Sequence, residues 1–332
     1  RRRAADQFDL VAGFVYAQIL SAFAETDLIA FIRTEVRDTD SVAGATGLDR
    51  SAAERLLKAG AALRLVECAG KDQWVLGNRG APILGNPSVL DMVRHHRALY
   101  ADLADPLALL RDRTAPTHLS RYWNYGGEEG GDDKTQALDY SALMASTQAM
   151  IAEQVVKRYR FARHSRMLDI GGGTGGFALA VAASAPQLSI GIFDLPPVVA
   201  AAGKRLAAEG QAARIDLFGG SFREDPIPEG ADLITLIRIL HDHDDDVVTA
   251  LLAKIRAALP AGGTLMIAEP LAGTRGAEAM GDAYFGLYLW AMRSGRPRTA
   301  QEYRAMLTHA GFARVREIAT DQPLITRILL AS

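Results

Sequence analysis

The sequence predicts an α/β protein: a parallel sheet in the C-terminal half, preceded by a mainly helical domain. Three observations carry this. From residue 165 onward, strand-length and helix-length segments alternate at 166–170, 177–184, 188–193, 196–208, 213–218, 232–239, 246–258 and 263–269. Such alternation marks parallel strands joined by crossover helices. The run Met167-Leu168-Asp169-Ile170-Gly171-Gly172-Gly173-Thr174-Gly175-Gly176 ends an apolar strand in a glycine-dense turn and opens a helix. The first hundred residues read mostly as short helices.

Taken in order, Phe8 to Ala24 carries apolar residues at helical spacing, and Leu28 to Ile32 continues it. Ser41 to Asp49 followed by Arg50 to Leu57 reads as helix, glycine turn, helix. Leu63 to Glu67, a Gly-Lys-Asp turn and Gln73 to Leu76 read as a β-hairpin wing. This winged-helix pattern has two readings. A DNA-recognition helix needs several basic or amide side chains. Here Arg50, Arg55, Lys58 and Arg64 are interrupted by alanines, which favours a dimerisation or substrate-lid module. Tyr122 to Asp133 is a polar, glycine-rich loop, either a lid or a plain surface loop. A long helix, about Tyr140 to Tyr159, leads into the glycine strand. The expected division is a winged-helix-like dimerisation domain at 1–98, a helical linker and lid at 99–160, and a cofactor-binding catalytic domain at 161–332.

Composition narrows the class. Of 332 residues, 49% are hydrophobic and 23% charged, an ordinary globular balance able to bury a full core. A net charge of −2 gives no general attraction to nucleic acid. Cys68 is the single cysteine, which excludes an internal disulfide and fits a reducing, cytoplasmic compartment. No uninterrupted apolar run reaches the ~18 residues of a membrane span. The start, Arg1-Arg2-Arg3, has neither methionine nor an apolar signal core, so the native start is expected upstream.

The glycine turn fits two cofactors. Gly171-x-Gly173-x-x-Gly176 matches the dinucleotide pattern, and Asp169-x-Gly171-x-Gly173-x-Gly175 matches that of S-adenosylmethionine (SAM) enzymes. Asp169 tilts the choice. A carboxylate at the lip repels a pyrophosphate and attracts a cofactor bearing an ammonium and a sulfonium. Asp194, ending the next strand, is placed to take ribose hydroxyls, which both cofactors carry.

Ligands of parallel sheets sit at the carboxyl ends of the strands. Asp169, Asp194, His241 and Glu269 all fall there. His241-Asp242-His243-Asp244-Asp245-Asp246 can be read as a metal site, as a general base, or as a loop histidine. Several of its acids are expected to cap the helix that starts near Asp245, which counts against metal. An imidazole can take a hydroxyl proton near neutral pH.

Together these pieces resemble the small-molecule O-methyltransferases that include the plant caffeate-type enzymes and many bacterial natural-product enzymes. The resemblance rests on Asp169-Ile-Gly-Gly-Gly-Thr-Gly175, Phe193-Asp-Leu-Pro196, Ile239-Leu-His-Asp-His-Asp-Asp245 and Ala258 to Pro270. With the winged-helix half it covers nearly the whole chain. It implies a Rossmann-like SAM methyltransferase sheet behind a helical dimerisation domain, and a homodimer. SAM is the implied cofactor and S-adenosyl-L-homocysteine the product, with no metal. It further implies that Gly171 and Gly173 line SAM beside Asp169, that Asp194 and Leu195 hold its ribose end, and that Ser221 and Phe222 lie beside adenine. Arg238 is implied near the cofactor, His241 as the base, and Glu269 as the carboxylate orienting it. Gly220 stands where the family has an acid, and His243 where it has a tryptophan.

Phenol-methylating members carry a carboxylate in a Gly-Arg-Glu-Arg-Thr-like segment, which reads Gly295-Arg-Pro-Arg-Thr299 here. Pro297 cannot orient a base. The stretch Ala283 to Met292 is apolar throughout, as for a helix buried against core, a dimer partner or a ligand. Gly281 to Thr299 and Pro323 to Arg327 resemble the carotenoid-biosynthesis branch, whose enzymes methylate a 1-hydroxyl of acyclic carotenoids. That implies a greasy tunnel lined by Tyr284, Tyr288, Leu289 and Met292, with Met144. A lipid-borne substrate is compatible with a peripheral contact at the inner membrane. A phenolic or polyketide acceptor, a SAM-binding DNA regulator and, more distantly, an NAD-dependent oxidoreductase are the alternatives.

Overall fold

The computed structural model describes residues 2–33, 35–123 and 147–332. The chain forms two compact units, Arg1–Tyr100 and Ala101–Ser332.

In the first unit, α1 (Arg2–Glu25) and α2 (Leu28–Ile32) precede α3 (Thr39–Thr46) and α4 (Arg50–Ala62). Local chemistry sets the last two. Asp38 caps α3 by accepting from the Ser41 N–H at 2.8 Å, and Asp49 caps α4 by accepting from the Ala52 N–H at 2.8 Å. Strands β1 (Val66–Gly70) and β2 (Gln73–Leu76) pair antiparallel. Short α5 (Ala81–Leu84) and α6 (Ser88–Asp102) follow. Phe23, Leu28, Leu57, Val66 and Trp74 form the core.

The N-terminal part of α1 departs from expectation. Residues Arg3–Glu25 form a helix long and apolar enough, by length and composition, to cross a membrane, with 17% of its most apolar window buried. Asp9 and Glu25 bound the uncharged stretch, and Gln18 and Ser21 interrupt it, so a reading of apolar runs misses it. Phe8, Leu10, Val11 and Phe14 are all more than 60% exposed.

The second unit begins with α7 (Pro106–Arg111), α8 (His118–Trp123) and α9, described over 147–158. Its sheet has seven strands in the order β5-β4-β3-β6-β7-β9-β8. Strands β3 (Arg166–Ile170), β4 (Ser189–Asp194), β5 (Ile215–Gly219), β6 (Leu233–Ile237) and β7 (Thr264–Glu269) run parallel. The crossover segments include α10 (Gly176–Ser184), α11 (Pro196–Ala208) and α12 (Asp245–Ala258).

Beyond the sequence reading, β8 (Val315–Ile318) and β9 (Arg327–Ala331) close the sheet edge antiparallel. Both faces are covered: Met167, Ile190 and Leu233 pack with Phe177 and Val181, while Leu168, Ile234 and Leu265 pack with Val248 and Ile255. That explains strands apolar at nearly every position.

The chain leaves β3 for β4 and β5 on one side and returns through β6 and β7 on the other. The reversal opens a crevice at the carboxyl ends of β3 and β6. The apolar stretch after β7 begins as a π-helix, Ala279–Tyr284, before α13 (Phe285–Met292); α14 (Ala300–His309) follows. Wide π turns concentrate at functional sites.

Candidate active site

The glycine turn supplies one wall of the crevice. Gly171, Gly173 and Gly175 have φ of 68°, 57° and 84°, a region most side chains avoid. The Gly171 N–H donates to the Phe193 carbonyl at 2.8 Å, stitching the turn to β4. A Cβ at Gly173 would meet nothing within 4 Å, so the backbone there borders open space. Asp194 spans this gap. Its carboxylate accepts from the Gly173 N–H at 2.8 Å and from the Leu195 N–H at 2.7 Å. Burial pushes its pKa up, against the pull of those two donors.

Asp169 is 1% exposed. Thr235, its register partner on β6, donates to Oδ1 at 2.6 Å. Oδ2 has no hydrogen-bond partner among the described residues. Burial raises its carboxyl to about 7, with Asp194 adding to the rise. A buried carboxylate oxygen left unsatisfied is costly, and a cationic ligand would relieve that cost. The open backbone at Gly173 and the lone oxygen of Asp169 therefore fit a cofactor with a positively charged centre.

Ser221 and Phe222 follow β5. The Ser221 N–H donates to Asp225 at 2.7 Å, and the Gly220 N–H donates to the Asp194 carbonyl at 2.9 Å. The Phe222 ring meets His243 edge-on at 5.2 Å. A Cβ at Gly220 would lie 2.7 Å from the Phe193 ring, so packing explains the missing acid there. Arg238, just past β6, adopts φ of 58° and donates to Thr147 at 2.6 Å. A non-glycine residue in this region carries strain of about 1–3 kcal/mol, a feature that clusters at functional sites.

His241 sits on a 3₁₀ turn, Leu240–Asp242, between β6 and α12. It is 4% exposed, and burial, then Arg238, Arg298 and His243, hold its pKa down at about 3. A pKa that low leaves the imidazole neutral near pH 7. Its Nε2 lies 3.3 Å from Asp242 Oδ1, and its ring centroid lies 5.5 Å from that of Phe285. Burial raises the Asp242 carboxyl to about 8.

Glu269 touches His241 differently from the expected way. Its Oε2 accepts from the His241 backbone N–H at 3.3 Å, and its Oε1 accepts from the Tyr303 hydroxyl. It fixes the main chain of the histidine, while Asp242 stands by the ring. The reason is register: Glu269 ends β7, alongside the start of the turn rather than above the imidazole. Burial raises Glu269 to about 7. The acids after His241 do not cap the helix as expected: Asp244 is the N-cap residue but makes no capping bond and accepts instead from the Gly295 N–H at 3.1 Å, while Asp245 and Asp246 lie in the first turn of α12, with Asp245 turned to Arg296 and Arg298.

Tyr284 and Tyr288 stack at 5.6 Å, and Tyr284 meets Phe285 edge-on at 5.0 Å. Phe285 carries this aromatic wall to His241, a contact that sequence reading missed. Its signal was its place in the all-apolar run. Leu289 and Met292 are 1% and 2% exposed and are packed as core. Met144 lies outside the described residues.

Residues 100–313 match the O-methyltransferase domain family. The chain is 40% identical over all 332 residues to the demethylspheroidene O-methyltransferase of Cereibacter sphaeroides, covering 87% of that protein. It is also 40% identical to that of Rhodobacter capsulatus, covering 82% of it. A 3-hydroxy-5-methyl-1-naphthoate 3-O-methyltransferase of Streptomyces sahachiroi is 30% identical over 95% of the chain and 91% of that protein. The crystal structure of human N-acetylserotonin methyltransferase in complex with SAM shares the fold, with a TM-score of 0.82 at 23% identity over 100% of this chain and 97% of that one. The chain belongs to the family of SAM-dependent O-methyltransferases.

Proposed function

We propose that the protein methylates the 1-hydroxyl of an acyclic hydroxycarotenoid, with His241 as general base. The observation that carries this reading is a neutral, buried imidazole set against a wall of Phe285, Tyr284 and Tyr288. An aromatic wall suits a polyene. The two relatives named for demethylspheroidene support the same acceptor class.

SAM, when bound, supplies a methyl group activated by a sulfonium. The chain does the rest. Asp169 and Asp194 offer carboxylates to the cofactor's cationic and ribose parts, and the glycine turn lets the backbone approach it. The aromatic wall orients the acceptor so that its oxygen can approach the methyl carbon in line. Transfer of the methyl from sulfur to that oxygen, with loss of the sulfur–carbon bond, would leave the hydroxyl proton strongly acidic. A tertiary alcohol is less acidic than a phenol, whose pKa is about 10. An imidazole held near 3 cannot deprotonate such an alcohol beforehand. It can take the proton once the new bond has formed, so proton loss lags methyl transfer. The imidazolium then faces Asp242 Oδ1, 3.3 Å from Nε2.

The same reading includes a homodimer in the cytoplasm with a peripheral membrane contact, motivated by the exposed apolar residues of α1. Sedimentation velocity and vesicle co-flotation would test those two points. For the reaction, labelled SAM is incubated with a panel of 1-hydroxycarotenoids and phenols. A methoxycarotenoid is the expected product. Methylation of phenols alone would overturn the acceptor class.

A further inference from the structure

The turn that carries His241 has no ladder of its own to hold it. A second segment does so. Ser294 Oγ donates to the Asp242 carbonyl at 2.7 Å, and the Arg296 N–H donates to the His241 carbonyl at 3.0 Å. Arg298 donates from Nη1 to the Leu240 carbonyl at 2.7 Å and from Nη2 to the His243 carbonyl at 2.7 Å. Four successive carbonyls are thus taken by three residues, Ser294, Arg296 and Arg298. Gly295 lets the segment approach closely: with φ of 77°, a Cβ there would fall 2.1 Å from the His241 carbonyl oxygen.

Arg298 is the centre of this strap. It is 0% exposed, and its charge is met by Asp245 Oδ1 at 2.6 and 2.9 Å. Only a guanidinium offers donors in a rigid fork wide enough to bridge both ends of the turn and an acid at once. Pro297, between Arg296 and Arg298, offers no polar side chain, so the strap acts on the turn's main chain.

We infer that Arg298 is a positioning residue for methyl transfer, holding the Leu240–His243 turn in the geometry that presents the His241 imidazole to the acceptor. This rests on His241 being the base. The role goes beyond stability. Glu269 fixes the turn's N–H from one side, and Arg298 fixes its two outer carbonyls from the other. Losing the fork frees the imidazole to tilt without touching the cofactor cradle.

The test uses the full chain with Arg298→Met, Arg298→Lys, His241→Ala and Arg113→Ala. The last removes an exposed ion pair to Asp244 beside the turn and is expected to keep parental turnover. Arg298→Met is expected to lower kcat about 100-fold, of the size seen when reacting groups are misplaced by about 1 Å. The KM for acceptor and the Kd for S-adenosylhomocysteine should stay within about threefold. Amide exchange at Asp242 and His243 should accelerate. Arg298→Lys should recover only part of kcat, because an ammonium lacks the fork. If Arg298→Met does not fold, the Lys variant alone decides. A kcat within threefold of parent in Arg298→Lys, with His241→Ala inactive, overturns the inference and leaves the base assignment standing. An active His241→Ala overturns the base assignment itself, and with it the catalytic meaning of the strap.

Discussion

The two walls of the crevice are built on opposite plans. On the cofactor side, the glycine turn borders open space and Asp169 keeps a buried oxygen without a partner. On the catalytic side, the carbonyls from Leu240 to His243 and the N–H of His241 are all bonded. The first wall is left incomplete where a charged ligand must complete it. The second is over-determined, as the proposed base requires if it is to be in place when the ligand arrives. Unsatisfied polarity marks where something binds, and saturated polarity marks what must not move.

The comparison can be broken most forcefully at the base. His241→Ala should lower kcat on the order of 10²–10⁴-fold, while S-adenosylhomocysteine affinity by calorimetry stays near parental. Intact turnover would remove His241 from the mechanism.

Next in size is Asp169→Asn. It should weaken SAM binding about 30-fold, the ~2 kcal/mol of one partly shielded ion contact. It should also change the pH dependence of the unliganded fold. Asp169 keeps its proton to about 7 when folded, against an ordinary value of 3.8. Between those values the unfolded chain ionises first, so the parent loses stability as pH rises. The variant should therefore lose less Tm than the parent between pH 5 and 8. An equal loss would mean that the Asp169 carboxyl is not held neutral by burial.

Tyr303→Phe removes the hydroxyl donor to Glu269. A stability loss of about 1–2 kcal/mol and a fall in kcat of only a few-fold are expected, because Glu269 still holds the His241 N–H. Denaturant melts and kinetics on one preparation would read both. A loss as large as that of His241→Ala would make Glu269 more than a main-chain anchor.

The smallest expected effect is a flat pH profile. With the His241 pKa down at about 3, the imidazole stays neutral from pH 8 to 5, so kcat should not fall there through His241. An acid limb centred near 6.5 would show that the imidazole is not shielded in the working enzyme.

Much of this was readable in the chain because it is local. Asp169 to Gly176 could be read since a tight turn demands glycine where φ is positive. The strand ends could be read since alternation dictates a parallel sheet, whose ligands lie at one edge. The edge strands β8 and β9 were missed because they follow the alternating units and pair antiparallel. The wall formed by Phe285 was hidden for a different reason. An all-apolar helix has no face that periodicity can single out, so its aim at His241 depends on the π turn that starts it.

By itself, the sequence determined the glycine turn proposed as the cofactor cradle, the parallel sheet and the candidate base, because each depends on residues close together or on a repeating pattern. Only the tertiary structure decided how the candidate base is held. Glu269 meets the backbone of His241 rather than its ring, and Arg298, 57 residues after His241 in the chain, bridges the carbonyls around it. Such contacts join segments distant in sequence, and their register is set by strand ends and burial, which no local pattern encodes.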